Sequence, residues 1–194
     1  MDMAFDALTD ASDEALLVLY GNGDPAAARS LTLRLAPLAY RVAYRMLGDA
    51  AEAEDLSQEA MLRLWRIAPD WRQGEAKLST WLYRVVTNLA TDRLRRRRGL
   101  GLDEAPEPED GRPAVLDVMI EADRAAALQA ALDRLPARQR QAVVLRHLEG
   151  LSNPEIAEVM DIGVEAVESL TARGKRALAA MLAGQREDLG YGHG

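Results

Sequence analysis

The chain has 194 residues, enough for one ordinary domain or two small ones, and its 48% hydrophobic content supports a packed core rather than a disordered chain. It has no cysteine, which excludes disulfides, thiolate zinc sites and cysteine nucleophiles, and an aromatic share of only 5% beside abundant alanine, leucine and arginine favours helices over sheets. The net charge of −7 opposes non-specific DNA binding by the chain alone, yet that charge is unevenly spread.

Residues 12–47 read as two helices after a short acidic leader. That leader, MDMAFDALTDASDE, has neither the basic start nor the apolar block of a secretion signal. Asp24 and Pro25 have the form of an N-cap and first helical position, because proline loses nothing where its N–H would be unpaired. Pro37 is expected to begin a further stretch, LAYRVAYRML, which Gly48 stops. A helix over 50–67 follows, then breakers at Pro69 and Gly74, then a long helix from Ser79 to Arg98. No apolar run approaches the ~20 residues of a membrane span. The expectation is a cytoplasmic protein without membrane insertion.

On a helical wheel of 52–66, Ala53, Leu56, Ala60, Met61, Leu64 and Trp65 fill one arc and read as core. The opposite arc holds Asp55, Gln58, Glu59, Leu62, Arg63 and Arg66. Leu62 is out of place there. It reads either as a lone surface leucine or as the apolar centre of a protein-binding patch ringed by hydrogen-bonding groups.

The helix over 79–98 has an expected apolar face of Leu78, Leu82, Val85, Val86 and Leu89. Opposite them Trp81, Arg84, Asn88, Thr91 and Arg95 fall into one stripe at spacings of three and four. Arginines pair with phosphates, tryptophan stacks on an unpaired base, and asparagine reaches a base edge. The arginine run Arg95–Arg98, with Arg96 beside the stripe, taken alone fits a solvated helix end as well as a DNA contact. The stripe as a whole suits single-stranded or melted DNA.

Between 99 and 114 the composition shifts to proline, glycine and acid (Asp103, Glu104, Glu107, Glu109, Asp110), with no periodic apolar face. This stretch is expected to be a flexible acidic linker. A second helical block spans 115–184, and a frayed tail 185–194. The fold class is therefore all-α: two small helical domains, 1–98 and 115–184, joined by that linker.

Within the second block, Ser152 and Glu155 have the S-x-x-E spacing of a capping box, with Pro154 in the first turn. A helix over 153–160 is expected to turn Ile156, Ala157 and Met160 inward. Asp161-Ile162-Gly163 then makes a short turn with Ile162 buried, and another helix begins near Val164. This is the layout of a DNA-reading helix-turn-helix, or of a plain helical hairpin. Glu165, Ser169, Arg173 and Arg176 face outward on its second helix, and Arg173, Lys175 and Arg176 are candidate phosphate or base contacts. His147 and His193 are isolated, and no phosphate-binding loop or nucleophile motif is present. No enzyme activity, metal or cofactor is expected.

Three segments together resemble one family. AEAEDLSQEAMLRLW (51–65), STWLYRVVTNLATDRLRRRR (79–98) and LPARQRQAVVLRHLEGLSNPEIAEVMDIGVEAVESLTARGKRAL (135–178) resemble, in order, three segments of the extracytoplasmic-function (ECF) sigma factors of bacterial RNA polymerase. These are the core-polymerase-binding helix, the segment that melts and reads the promoter −10 element, and the helix-turn-helix that reads the −35 element. The resemblance implies that Asp55, Gln58, Glu59 and Leu62 engage the clamp helices of the polymerase largest subunit. It implies that Asn88 receives an extruded −10 base and that Ser169 and Arg173 contact the −35 duplex. It further implies docking of the second domain near the polymerase flap, and an anti-sigma partner that holds the factor inactive until a stress or envelope signal arrives.

The sequence departs from the pattern at several positions. Asp161 and Gly163 replace the usual turn glycine and cap serine, Ala28 stands where a bulky aromatic is frequent, and Glu168, Leu170 and Ala172 stand where relatives carry basic or larger residues. Two other readings remain at this stage: a conventional helix-turn-helix regulator that binds duplex DNA without polymerase, and a helical adaptor with no DNA contact.

Overall fold

The computed structural model describes residues 8, 10–72, 74, 77–99 and 116–188, with 116–122 and 184–188 described by their backbone. The described residues form helices and turns without a strand. The expected linker, apart from Gly99 at a helix end, and residues 189–194 of the expected tail lie outside them. The chain divides into two compact units: Met1–Tyr44 with Ala50–Ala90, and Arg45–Asp49 with Thr91–Gly194.

In the first unit, α1 (Asp13–Gly21) starts at Ser12, whose hydroxyl accepts from the Ala15 N–H at 3.1 Å, and Asp13 and Glu14 complement the helix dipole in its first turn. Helix α2 (Pro25–Leu47) is capped by Asp24, which accepts from the Ala26 N–H at 2.8 Å and from the Ala27 N–H at 3.4 Å. Gly48, at φ +70°, ends it in the left-handed conformation that favours glycine.

Pro37 does not begin a new helix; it lies inside α2. A proline there removes one hydrogen bond and costs about 3 kcal/mol. The same face is buried on both sides of it, by Ala27, Leu31 and Leu35 before and by Ala39, Val42 and Ala43 after. Each large side chain so buried contributes about 2 kcal/mol, so burial outweighs the lost bond. Pro37 itself is exposed.

Helix α3 (Ala50–Ile67) buries Ala53, Leu56, Ala60, Met61 and Leu64 as its wheel predicts, with Ser57 added. Trp65 is half-buried, its ring 4.6 Å from that of Tyr20 on α1. A 3₁₀ turn (Ala68–Asp70) follows. Helix α4 (Leu78–Gly99) buries Leu78, Thr80, Leu82, Tyr83, Val86, Thr87 and Ala90. Val85 and Leu89, expected in the core, are only half-buried on its flank. The buried face is rotated toward Tyr83 and Thr87, whose hydroxyl is satisfied internally by the Tyr83 carbonyl at 2.8 Å.

The second unit contains α5 (Leu116–Asp133), α6 (Ala137–Val143), a π-helical turn (Val144–Leu148), α7 (Asn153–Met160) and α8 (Val164–Asp188). Helices α5, α6 and α7 all pack against α8, around Leu132, Val144, Leu145, Ile156, Val159 and Val167. Gly174 lets α6 and α8 meet closely: a Cβ there would stand 2.5 Å from Val143 Cγ2. Arg140 is buried, and its Nη1 donates to Asp133 Oδ1 at 3.1 Å. Helix α8 runs to Asp188, beyond the expected end of the block at 184.

Candidate functional site

The outer face of α3 presents Leu62 at 55% exposure, with Asp55 and Gln58 exposed and Glu59 half-buried around it. The rim is ordered by bonds within the helix. Gln58 Nε2 donates to Glu54 Oε1 at 3.5 Å, and Arg63 pairs with Glu59 at 2.8 Å. Such exposed pairs add little stability, but they hold the polar groups around the leucine.

On α4, Arg84, Asn88, Arg95 and Arg96 are exposed, while Trp81 and Thr91 are half-buried beside them. Arg95 pairs with Asp92 at 2.8 Å, one helical turn back. The first turn of α4 is tied to α1 by Glu14, whose Oε1 accepts from the Leu78 N–H at 2.9 Å. That hydrogen bond holds the Glu14 carboxyl below its ordinary pKa, against an opposing effect of burial. Glu14 is a positioning residue that the sequence reading missed, since no local pattern links positions 64 residues apart.

The helix-turn-helix forms at the expected place. Ser152 and Glu155 close a reciprocal capping box: Glu155 Oε2 accepts from the Ser152 N–H at 2.9 Å, and Ser152 Oγ accepts from the Glu155 N–H at 3.5 Å. Asp161 takes the left-handed turn position, φ 52° and ψ 54°, a conformation a short polar side chain tolerates. Ile162 and Ala157 are half-buried rather than fully inward; Val159 supplies the buried contact instead.

On α8, Glu165, Arg173, Lys175 and Arg176 are exposed and Ser169 is half-buried. Ser169 Oγ accepts from Arg173 Nε at 3.2 Å and from Nη2 at 2.5 Å, which fixes the guanidinium along the helix. Glu168 is reached by Asn153 Nδ2 at 3.4 Å. His147, on the π turn, has its pKa lowered by burial and by Lys175 and Arg146, which favours the neutral ring.

The sequence reading also missed an apolar ridge on α2. Leu33 is 60% exposed and Tyr40 39%, with Pro37 exposed between them. Tyr40 stacks on Tyr44 with ring centroids 6.3 Å apart and planes 13° apart. A wheel drawn through Pro37 reveals the ridge at 33, 37, 40 and 44; treating Pro37 as a boundary hides it. Among the described residues no cluster of acids and histidines has metal-binding geometry, and no helix is long and apolar enough to cross a membrane.

Two family descriptions match the chain in succession. Residues 31–99 match Sigma-70 region 2, and residues 125–178 match Sigma-70, region 4. These matches define the class, a sigma-70-type transcription initiation factor. Over 173 residues the chain is 38% identical to the ECF RNA polymerase sigma factor SigE of Mycolicibacterium smegmatis, covering 86% of this chain and 66% of that protein. It is 34% identical over 154 residues to SigW of Bacillus subtilis, 74% of this chain and 82% of that one. The solved sigma factor RpoE, in complex with the anti-sigma factor NepR from Bartonella quintana, shares the fold. Its TM-score is 0.64 at 22% identity, over 80% of this chain and 96% of that one. The chain belongs to the ECF RNA polymerase sigma factors.

Proposed function

We propose that residues 1–98 dock on the clamp helices of the RNA polymerase largest subunit through Asp55, Gln58, Glu59 and Leu62. The stripe Trp81, Arg84, Asn88, Thr91, Arg95 and Arg96 captures the −10 element as it unpairs. The 115–184 domain sits near the polymerase flap and places α8 on the −35 duplex, with Glu165, Ser169, Arg173, Lys175 and Arg176 toward DNA. Capturing unpaired bases shifts the melting equilibrium without nucleotide hydrolysis, because only the open form offers bases to stack. The factor thus works in the cytoplasm as a binding protein with no catalytic residue of its own. The observation that carries this reading is Leu62, 55% exposed within a polar rim on the helix of matching family pattern.

An anti-sigma protein covers these same faces in the inactive state. Support comes from the similarly folded RpoE, solved in complex with the anti-sigma factor NepR. In vitro transcription with core polymerase tests the whole reading. Leu62→Asp is expected to abolish comigration with core polymerase on gel filtration and, with it, transcription. A normal complex with this variant refutes the patch.

A further inference from the structure

The tip of α8 carries an unusual set of groups for the leading end of a DNA-reading helix. Val164, its first residue, is 40% exposed, and Glu165 beside it is exposed too. From Val164 to Ala172 the helix has no lysine or arginine; its cations begin at Arg173. At 100° per residue, Glu165, Ser169, Ala172 and Arg176 share one outward line. Glu168 lies about 60° to one side, held by Asn153 of α7. Ser169 on that line is engaged by Arg173. The line is therefore led by the Glu165 carboxylate, while Val164, one residue earlier and about 100° around the helix, adds exposed methyl groups at the same tip.

In a helix-turn-helix the first residues of the second helix meet base edges in the major groove. A carboxylate only accepts hydrogen bonds at neutral pH. It is repelled by guanine O6 and N7 and by thymine O4. It meets adenine N6 beside the competing acceptor N7, and it meets cytosine N4 with no acceptor on the same base's groove edge. Exposed valine methyls gain from contact with the thymine C5-methyl. Glutamate in a first helical turn also complements the helix dipole. That role is indifferent to base sequence, which separates it from reading.

We propose that Val164 and Glu165 are specificity-determining residues that read a pair of adjacent pyrimidines in the upstream promoter element, Glu165 taking cytosine through N4 and Val164 taking thymine through its methyl group. This rests on the placement of α8 on the −35 duplex proposed above. Arg173, Lys175 and Arg176, further along the helix, supply attraction to the backbone.

The test is selection of promoter DNA with a randomised upstream element by holoenzyme assembled from the full chain and core polymerase. The wild-type factor is expected to enrich a cytosine next to a thymine. Glu165→Ala is expected to reduce the cytosine preference at that one position on the order of tenfold. Glu165→Gln is expected to move it to adenine, whose N6 and N7 suit an amide. Replacing the thymine by uracil should weaken wild-type binding about fourfold, the worth of one methyl group, and leave Val164→Ser unaffected. Glu165→Ala with unchanged base preferences, or with a uniform gain for every sequence, overturns the inference, since the latter marks a carboxylate that only repels phosphate. A wild-type factor that enriches an upstream element without a pyrimidine pair overturns it as well. If the wild type enriches no upstream element at all, the placement of α8 on DNA falls first and the inference falls with it.

Discussion

Gly174→Ala tests how α8 is held against α6. The new Cβ would stand 2.5 Å from Val143 Cγ2 and 3.2 Å from the Gln139 carbonyl oxygen. Carbon atoms in good contact are about 3.5–4.0 Å apart, so α6 and α8 must separate by roughly 1 Å. Val143 is buried and the second contact is backbone, so neither yields cheaply. Overpacking of this kind costs about 1–3 kcal/mol, while replacing a mid-helix glycine by alanine returns about 1 kcal/mol of helix propensity. The net expectation is a loss of about 1 kcal/mol. For a domain of this size that lowers Tm by roughly 5 °C, read by calorimetry on the full chain. Ala172→Gly, on the exposed side of the same helix, measures the propensity contribution separately. Adding Val143→Ala to Gly174→Ala should cost less than the two changes summed, because the second removes the methyl that the first collides with. A Tm for Gly174→Ala equal to or above wild type refutes the close crossing as a constraint.

Asn88→Ala should impair promoter opening, followed by permanganate reactivity of unpaired thymines, while leaving core binding intact; undiminished opening removes Asn88 from the proposed −10 surface. Glu14→Ala should cost about 1 kcal/mol at neutral pH by uncapping α4. Because folding lowers the Glu14 pKa, its stabilisation is present above the ordinary carboxylate range and is lost as pH falls through the folded-state value. The gap between wild type and variant in urea unfolding should therefore shrink in acid, and a gap independent of pH contradicts the assignment. Ser152→Ala should destabilise the second unit by about 1 kcal/mol, because the Glu155 N–H loses its acceptor Ser152 Oγ and Glu155 Oε2 loses the hydroxyl donor, measured by the same unfolding assay. A loss near zero would mean that packing alone fixes the start of α7.

Local chemistry was readable from the sequence wherever it is written within a few residues. The α3 wheel separates Leu56 and Leu64 from Leu62 because one helical period carries that information. Ser152, Glu155 and Asp161 announce the capping box and the left-handed turn by residue type. Among the candidate site residues, Asp55, Gln58, Leu62, Arg84, Asn88, Arg95, Arg96, Glu165, Arg173, Lys175 and Arg176 are exposed, whereas Glu59, Trp81, Thr91 and Ser169 are partly covered. What escaped depends on tertiary packing. The long-range hydrogen bond from Leu78 to Glu14 has no local signature. The rotation of α4 that buries Tyr83 and Thr87 in preference to Val85 and Leu89 is set by neighbouring helices and not by hydropathy. Pro37 misled because burial on both sides of it carries α2 through a residue that local rules treat as a stop.

Pro37 has one more consequence. With no amide proton at that position, the zipper of i→i−4 bonds along α2 is interrupted near its middle. Opening that starts at the Gly48 end then meets a natural stopping point before it reaches the turns near Asp24. Deuterium uptake should resolve α2 into two kinetically separate segments, although it is a single helix from Pro25 to Leu47.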